Sequence, residues 1–88
     1  MEIILLDGRK MTSREKMYDY IEETMRFPEY FGHNLDALND CLSELGENVI
    51  IVLYNADIMK ENLDRYGEKV IAVFENAAEE TGFTFKTE

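Results

Sequence analysis

Two uninterrupted apolar runs, IILL at positions 3–6 and VIIVLY at positions 49–54, constrain this chain more than any other feature. Neither alternates with polar residues, so each reads as a strand buried on both faces. The 42 residues between them, 7–48, are far too many for a hairpin and leave room for helices. Strands joined through helices need right-handed crossovers and therefore lie parallel. The segment FTFKT at 83–87 alternates and reads as a last, edge strand. The expectation is an α/β fold around a small parallel sheet.

The intervening segments supply about four helices. Asp7-Gly8 closes the first run as a turn. Thr12 with Glu15 fits a capping box, and Met17, Tyr20, Ile21 and Met25 recur at helical spacing, giving a helix from about residue 13 to 25. The break comes at Phe27-Pro28, because proline holds the residue before it out of helical geometry. PEYFGH at 28–33 is then a loop, in which Gly32 permits a positive φ, and Asn34 is an N-cap. Leu35, Leu38, Leu42 and Leu45 step by three, four and three, predicting a second helix with a leucine face that Gly46 ends. Asp36, Asn39, Asp40 and Ser43 fall on its other side. Asn55 and Asp57 cap a short third helix through about residue 62, and Val70, Ile71, Val73, Phe74 and Ala77 stripe a longer one from near Tyr66 to Gly82.

With 88 residues, 45% of them hydrophobic and a single proline, the chain reads as one domain spanning 1–88. A domain of this size buries roughly 60% of its unfolded surface, leaving little room for a deep catalytic cavity. His33 and Cys41 are the only histidine and the only cysteine, so no zinc-ligand spacing exists, and the five glycines stand singly at element boundaries, with no phosphate loop among them. No metal or cofactor is expected. A lone cysteine, no basic signal-like start and no apolar run of membrane-spanning length point to the cytoplasm.

The formal charge is −10, from 19 acidic against 9 basic side chains. That balance disfavours nucleic acid and anionic membrane as direct partners and favours a basic one. Placement sharpens the point. Residues 27–59 contain Glu29, Asp36, Asp40, Glu44, Glu47 and Asp57 and no lysine or arginine. Asp36, Asp40 and Glu44 recur at i, i+4 and i+8, and such like-charge neighbours cost a helix roughly 0.2–0.5 kcal/mol each. Asp36 would sit in the first turn, where the helix dipole favours an anion. Asp40 has no such compensation. Paired carboxylates can act as general acid and base, but only if one is held in an apolar or crowded pocket, which a solvent-facing helix side does not offer. The ridge therefore reads as a surface kept negative for a partner's cations, or as a merely solvated face, and the chain as no enzyme.

The run FPEYFGHNLDALNDCL at 27–42 resembles the signature of the barstar family, intracellular inhibitors of secreted ribonucleases. Weaker similarity extends to the Asp7-Gly8 end of the first strand and to Val73-Phe74. The resemblance implies a three-stranded parallel sheet packed between helices, a monomer when free, and a loop and second helix that plug the active site of a basic, guanyl-preferring ribonuclease of the barnase type. It further implies that Asp40 is the main anchor, mimicking a phosphate, that Tyr30 packs on the catalytic histidine, that Asp36 is the second acid, and that Gly32, Asn34 and Leu35 make loop contacts. Departures fall at Asn39, where the family carries tryptophan, at Ser43-Glu44-Leu45-Gly46, which lacks a second tryptophan, and at Asn76, where the family has a contacting glutamate. Asn39, Ser43, Glu44 and Asn76 complete the candidate partner-binding set. The alternative is an acidic protein-interaction or regulatory module of the same fold without a ribonuclease partner.

Overall fold

A computed structural model describes all residues, 1–88. In chain order it contains β1 (Glu2–Asp7), a 3-10 turn (Gly8–Lys10), α1 (Arg14–Met25), α2 (Leu35–Leu42), β2 (Val49–Tyr54), α3 (Ala56–Leu63), α4 (Arg65–Thr81) and β3 (Thr84–Thr87). The strands form one sheet in the order β1-β2-β3, with both pairs parallel. Leu5 lies beside Val52, and Val52 beside Lys86, which sets the register across the sheet. The expected α/β architecture of four helices and a three-stranded parallel sheet is present.

The helices cover the sheet face that carries Ile4, Leu6, Ile51 and Leu53, all buried. Against it pack Met17 and Ile21 of α1, Leu38 and Leu42 of α2, Met59 of α3, and Val70, Phe74 and Ala77 of α4. Phe74 stacks on Phe85 of β3 with ring centroids 4.9 Å apart.

Both apolar runs alternate in burial, contrary to the reading of strands buried on both faces. Ile3 and Leu5 are 61% and 56% exposed, while Ile50, Val52 and Tyr54 are half-buried. The physical reason is position. β1 is a sheet edge with helices on one face, and an apolar run cannot reveal whether its second face will be covered.

Local differences have local causes. Ser13, not Thr12, caps α1, its hydroxyl accepting from the Lys16 amide at 3.2 Å. α2 stops at Leu42, because the Leu45 amide donates to the Leu42 carbonyl in a tightened exit turn. Leu45 and Glu44 therefore lie beyond the helix. The left-handed residue of the 28–34 loop is His33, φ 49°, rather than Gly32. Asn55 also is left-handed, φ 56°, and spends its side chain on Asp7 rather than on the amides of α3.

Candidate protein-interaction site

The loop between α1 and α2 rests on an aromatic floor. Arg26 ends α1 in the left-handed conformation, and the Phe31 amide then donates to the Pro28 carbonyl at 3.0 Å, folding residues 28–31 into a turn. Phe31 points inward and is buried, with its ring 5.1 Å from Phe27 and 5.8 Å from Tyr18. Tyr18 in turn shares a hydroxyl–hydroxyl hydrogen bond with Tyr66, over whose ring Arg14 lies at 3.9 Å. Burial and that bond push the Tyr18 phenol well above the usual range, so the floor stays uncharged. At the turn's tip the opposite holds: Tyr30 is 85% exposed.

Two side chains tie the rest of the loop down. His33 stacks on Tyr18, with its Nε2 2.5 Å from Glu22 Oε1 and its Nδ1 3.9 Å from Asp19, both on α1. Asn34 faces both ways: its Nδ2 donates to the Gly32 carbonyl at 3.1 Å, and its Oδ1 accepts from the Ala37 amide at 2.7 Å. The N-cap expected at Asn34 is thus also the brace of the loop. A Cβ at Gly32 would stand 3.2 Å from the Asn34 amide, which makes room, and not backbone handedness, the reason for glycine there.

α2 presents Asp36 in its first turn and Asp40 in its middle, both exposed, while Leu38 and Leu42 are sealed beneath. No lysine, arginine or histidine lies within 4.0 Å of Asp36, Asp40 or Glu44, because the acid–base contacts of the chain are Arg9–Asp7, His33–Asp19, His33–Glu22 and Lys60–Asp57. Asp40 stands at the rim of an open apolar cleft of about 220 Å3, lined also by Tyr30, Phe31, Gly32, Ala37 and Cys41. An exposed anion beside an exposed phenol over an apolar cleft can accept a flat cationic or imidazole group. Cys41 is half-buried, and burial, then Glu44 and Asp40, push its thiol up, which favours the protonated form.

The candidate residues do not all converge. Tyr30, Gly32 and Asp40 meet at the cleft, and Asn34, Leu35 and Asp36 form the helix start beside it. Asn39 and Ser43 are joined, the Ser43 hydroxyl donating to the Asn39 carbonyl at 2.7 Å. Glu44 sits in the exit turn, which shortens the three-acid ridge of one helix to the pair Asp36 and Asp40. Asn76 is exposed on α4, the helix against which α2 packs. The neighbouring Glu75 lines a separate groove with Asp57, Lys60, Thr87 and Glu88. Sequence reasoning missed Phe31, Ala37 and Cys41 as cleft walls and the His33–Glu22 clamp. The i, i+3 spacing of Asp19 and Glu22 on α1 was the one signal of the clamp.

The Bacillus subtilis (strain 168) protein named "Putative ribonuclease inhibitor YrdF" is 44% identical over 43 residues, covering 49% of this chain and 47% of that protein. The matched segment is thus about half the length of that relative. A family model described as "Barstar (barnase inhibitor)" matches residues 1–88. The match runs from β1 through β3 and takes in the braced loop and α2, and on that extent the chain belongs to the barstar family.

Proposed function

We propose that this chain, acting as one domain over residues 1–88, is a protein inhibitor of a basic microbial ribonuclease of the guanyl-preferring, barnase type. Its loop and α2 would enter the enzyme's active site in place of RNA. The observation that carries the reading is Asp40: an exposed mid-helix acid without a cation, at the rim of the cleft that Tyr30 overlooks. In this role Asp40 stands where a substrate phosphate would and takes bidentate hydrogen bonds from the enzyme's arginines. Tyr30 and the cleft receive the catalytic imidazole, and Asp36 pairs with a second cation. Gly32, Asn34 and Leu35 shape the contact, while Asn39, Ser43, Glu44 and Asn76 form its rim. Inhibition is by occlusion, with no bond made or broken, and takes place in the cytoplasm of the cell that makes the enzyme.

The experiment is inhibition of a panel of basic microbial ribonucleases by the wild-type chain, Asp40→Ala and Glu47→Ala. Asp40→Ala should weaken inhibition at least tenfold more than Glu47→Ala, because the enzyme's buried arginine is then left without its counter-ion, which costs roughly 3–5 kcal/mol. Equal effects would remove Asp40 as the anchor. The second reading, an acidic interaction module without a ribonuclease partner, draws on Asn39 and Asn76, polar residues where the family's contacts are aromatic and acidic. A panel in which no enzyme is inhibited at micromolar protein would favour it.

A further inference from the structure

The cleft at the candidate binding surface is built across a joint. Tyr30, Phe31 and Gly32 come before His33 in the chain, and Ala37, Asp40 and Cys41 come after it. The backbone at His33 therefore sets how the turn that carries Tyr30 stands relative to the helix that carries Asp40. That backbone is left-handed, φ 49°. Glycine adopts such a conformation freely, whereas a residue with a side chain is strained in it and persists only where its surroundings hold it. A histidine here has to gain through its side chain what its backbone loses.

The side chain has four neighbours. Its ring stacks on Tyr18, with centroids 5.8 Å apart and planes at 24°, and lies 5.2 Å from the Phe31 ring. Nε2 is 2.5 Å from Glu22 Oε1, and Nδ1 is 3.9 Å from Asp19 Oδ1. Asp19 and Glu22 stand at i, i+3 on α1, where two anions repel, and no lysine or arginine lies within 4.0 Å of either. The Tyr18 phenol is kept protonated by burial and by its bond to Tyr66 of α4, while Arg14 lies over the Tyr66 ring and pairs with neither acid. Glu29 and Asp36, before and after His33 in the chain, come no nearer to its ring than 4.0 Å.

A neutral imidazole has one N–H and one lone pair. Whichever nitrogen carries the hydrogen, the other presents a lone pair to a carboxylate. An imidazolium offers an N–H to each, so the space between α1 and the loop suits the cation.

We propose that His33 is the positioning residue of the inhibitory loop and acts in its protonated form, latching the turn at 28–33 to Glu22 and Asp19 of α1. The latch holds Tyr30 and Gly32 across the cleft from Asp40. Its effect on inhibition rests on the function proposed above, whereas the latch itself is a property of the free chain. Histidine changes charge between about pH 5 and pH 8. The protonated latch is complete at the lower end of that range and weakens as pH rises through it, so the chain should grip a ribonuclease more firmly in mild acid than in mild alkali. The His33 side chain is 37% exposed, which keeps the effect modest.

Amide exchange of Phe31, whose N–H closes the turn on the Pro28 carbonyl, reads the latch in the free protein. Its protection factor should fall about threefold from about pH 5.5 to pH 8 in the wild-type chain and stay level in His33→Gly and His33→Asn. Both variants tolerate a left-handed backbone and neither reaches Glu22, so their melting temperatures should stay within about 4 °C of the wild type. Inhibition of one ribonuclease is then compared among the three chains at the same two pH values, so that the enzyme's own titration cancels. The variants should inhibit about threefold to fivefold less well than the wild type at about pH 5.5, and by a smaller factor at about pH 8. Phe31 protection independent of pH in the wild type overturns the latch, as does a pH dependence that both variants retain. A fall in melting temperature large enough to account for the lost inhibition also overturns it, since His33 then serves stability alone. Should the wild-type chain inhibit no ribonuclease while Phe31 protection follows the charge of His33, the latch stands and the ribonuclease reading falls.

Discussion

Asp7 and Asp40 are both acids in a chain of net charge −10, and their surroundings give them opposite energetic roles. Asp7 is 4% exposed and fully satisfied. Its Oδ1 accepts from the Arg9 amide at 3.0 Å and from Asn55 Nδ2 at 3.0 Å, and the Arg9 guanidinium reaches Oδ2 at 3.0 Å. Those bonds, with Arg9 foremost, hold its carboxyl at about 2, below the ordinary range. A carboxyl depressed on folding adds stability that is complete above its unfolded value of about 3.9 and is lost as pH falls through the folded value. Urea midpoints of the wild-type chain should therefore drop between about pH 4 and pH 2, and Asp7→Asn should be less stable at neutral pH with a flatter decline across that window. Equal slopes for the two proteins would show that other acids govern the acid limb. Asp64, at the joint of α3 and α4, is held at φ 53°, ψ −131°, and its side chain makes no capping hydrogen bond. Aspartate is strained there and glycine is not, so Asp64→Gly should raise stability by up to about 1 kcal/mol, read as a higher melting temperature.

At the scale of elements, the loop and α2 form one braced unit, and Asn34 is its joint. Asn34→Ala removes the cap on the Ala37 amide and the tie to the Gly32 carbonyl together. The cost should be about 1 kcal/mol of stability, and ribonuclease inhibition should weaken by more than that loss alone explains, since Gly32 and Tyr30 lose their fixed relation to Asp40. Comparing the melting shift with the inhibition shift checks this, and a purely parallel change would reduce Asn34 to an ordinary cap. The same unit marks how far the sequence could be read. Leucine spacing and the Asn34 cap placed α2 correctly, because both act within a few residues. Its end at Leu42 was not legible: the exit turn is closed by the Leu45 amide on the Leu42 carbonyl, short of the Gly46 stop that the leucine spacing pointed to. The His33–Glu22 clamp was equally hidden, because eleven residues and a left-handed histidine separate its two halves. For β1 the run of apolar residues announced a strand, while the openness of Ile3 and Leu5 depended on which sheet face the helices would cover.

At the scale of the molecule, charge is distributed unevenly along the chain. The loop from Phe27, α2 and the turn before β2 carry acids without lysine or arginine, whereas the nine basic side chains lie on the 3-10 turn, α1 and its C-cap Arg26, α3, α4 and β3. A basic enzyme therefore meets an oriented negative field before it touches Asp40, and such steering acts on the encounter more than on the docked complex. Salt distinguishes the two stages. The field reaches across a Debye length of about 10 Å at 0.1 M salt and about 3 Å at 1 M, whereas hydrogen-bonded pairs sealed in the contact are screened far less. Stopped-flow association with an inhibited ribonuclease should thus slow by tenfold or more between about 0.05 M and 0.5 M salt, with the dissociation rate changing much less. Glu47→Lys, at a residue that does not line the cleft, should reproduce part of that loss of on-rate without touching the off-rate. An on-rate insensitive to salt would mean that the acidic face does not guide the partner in.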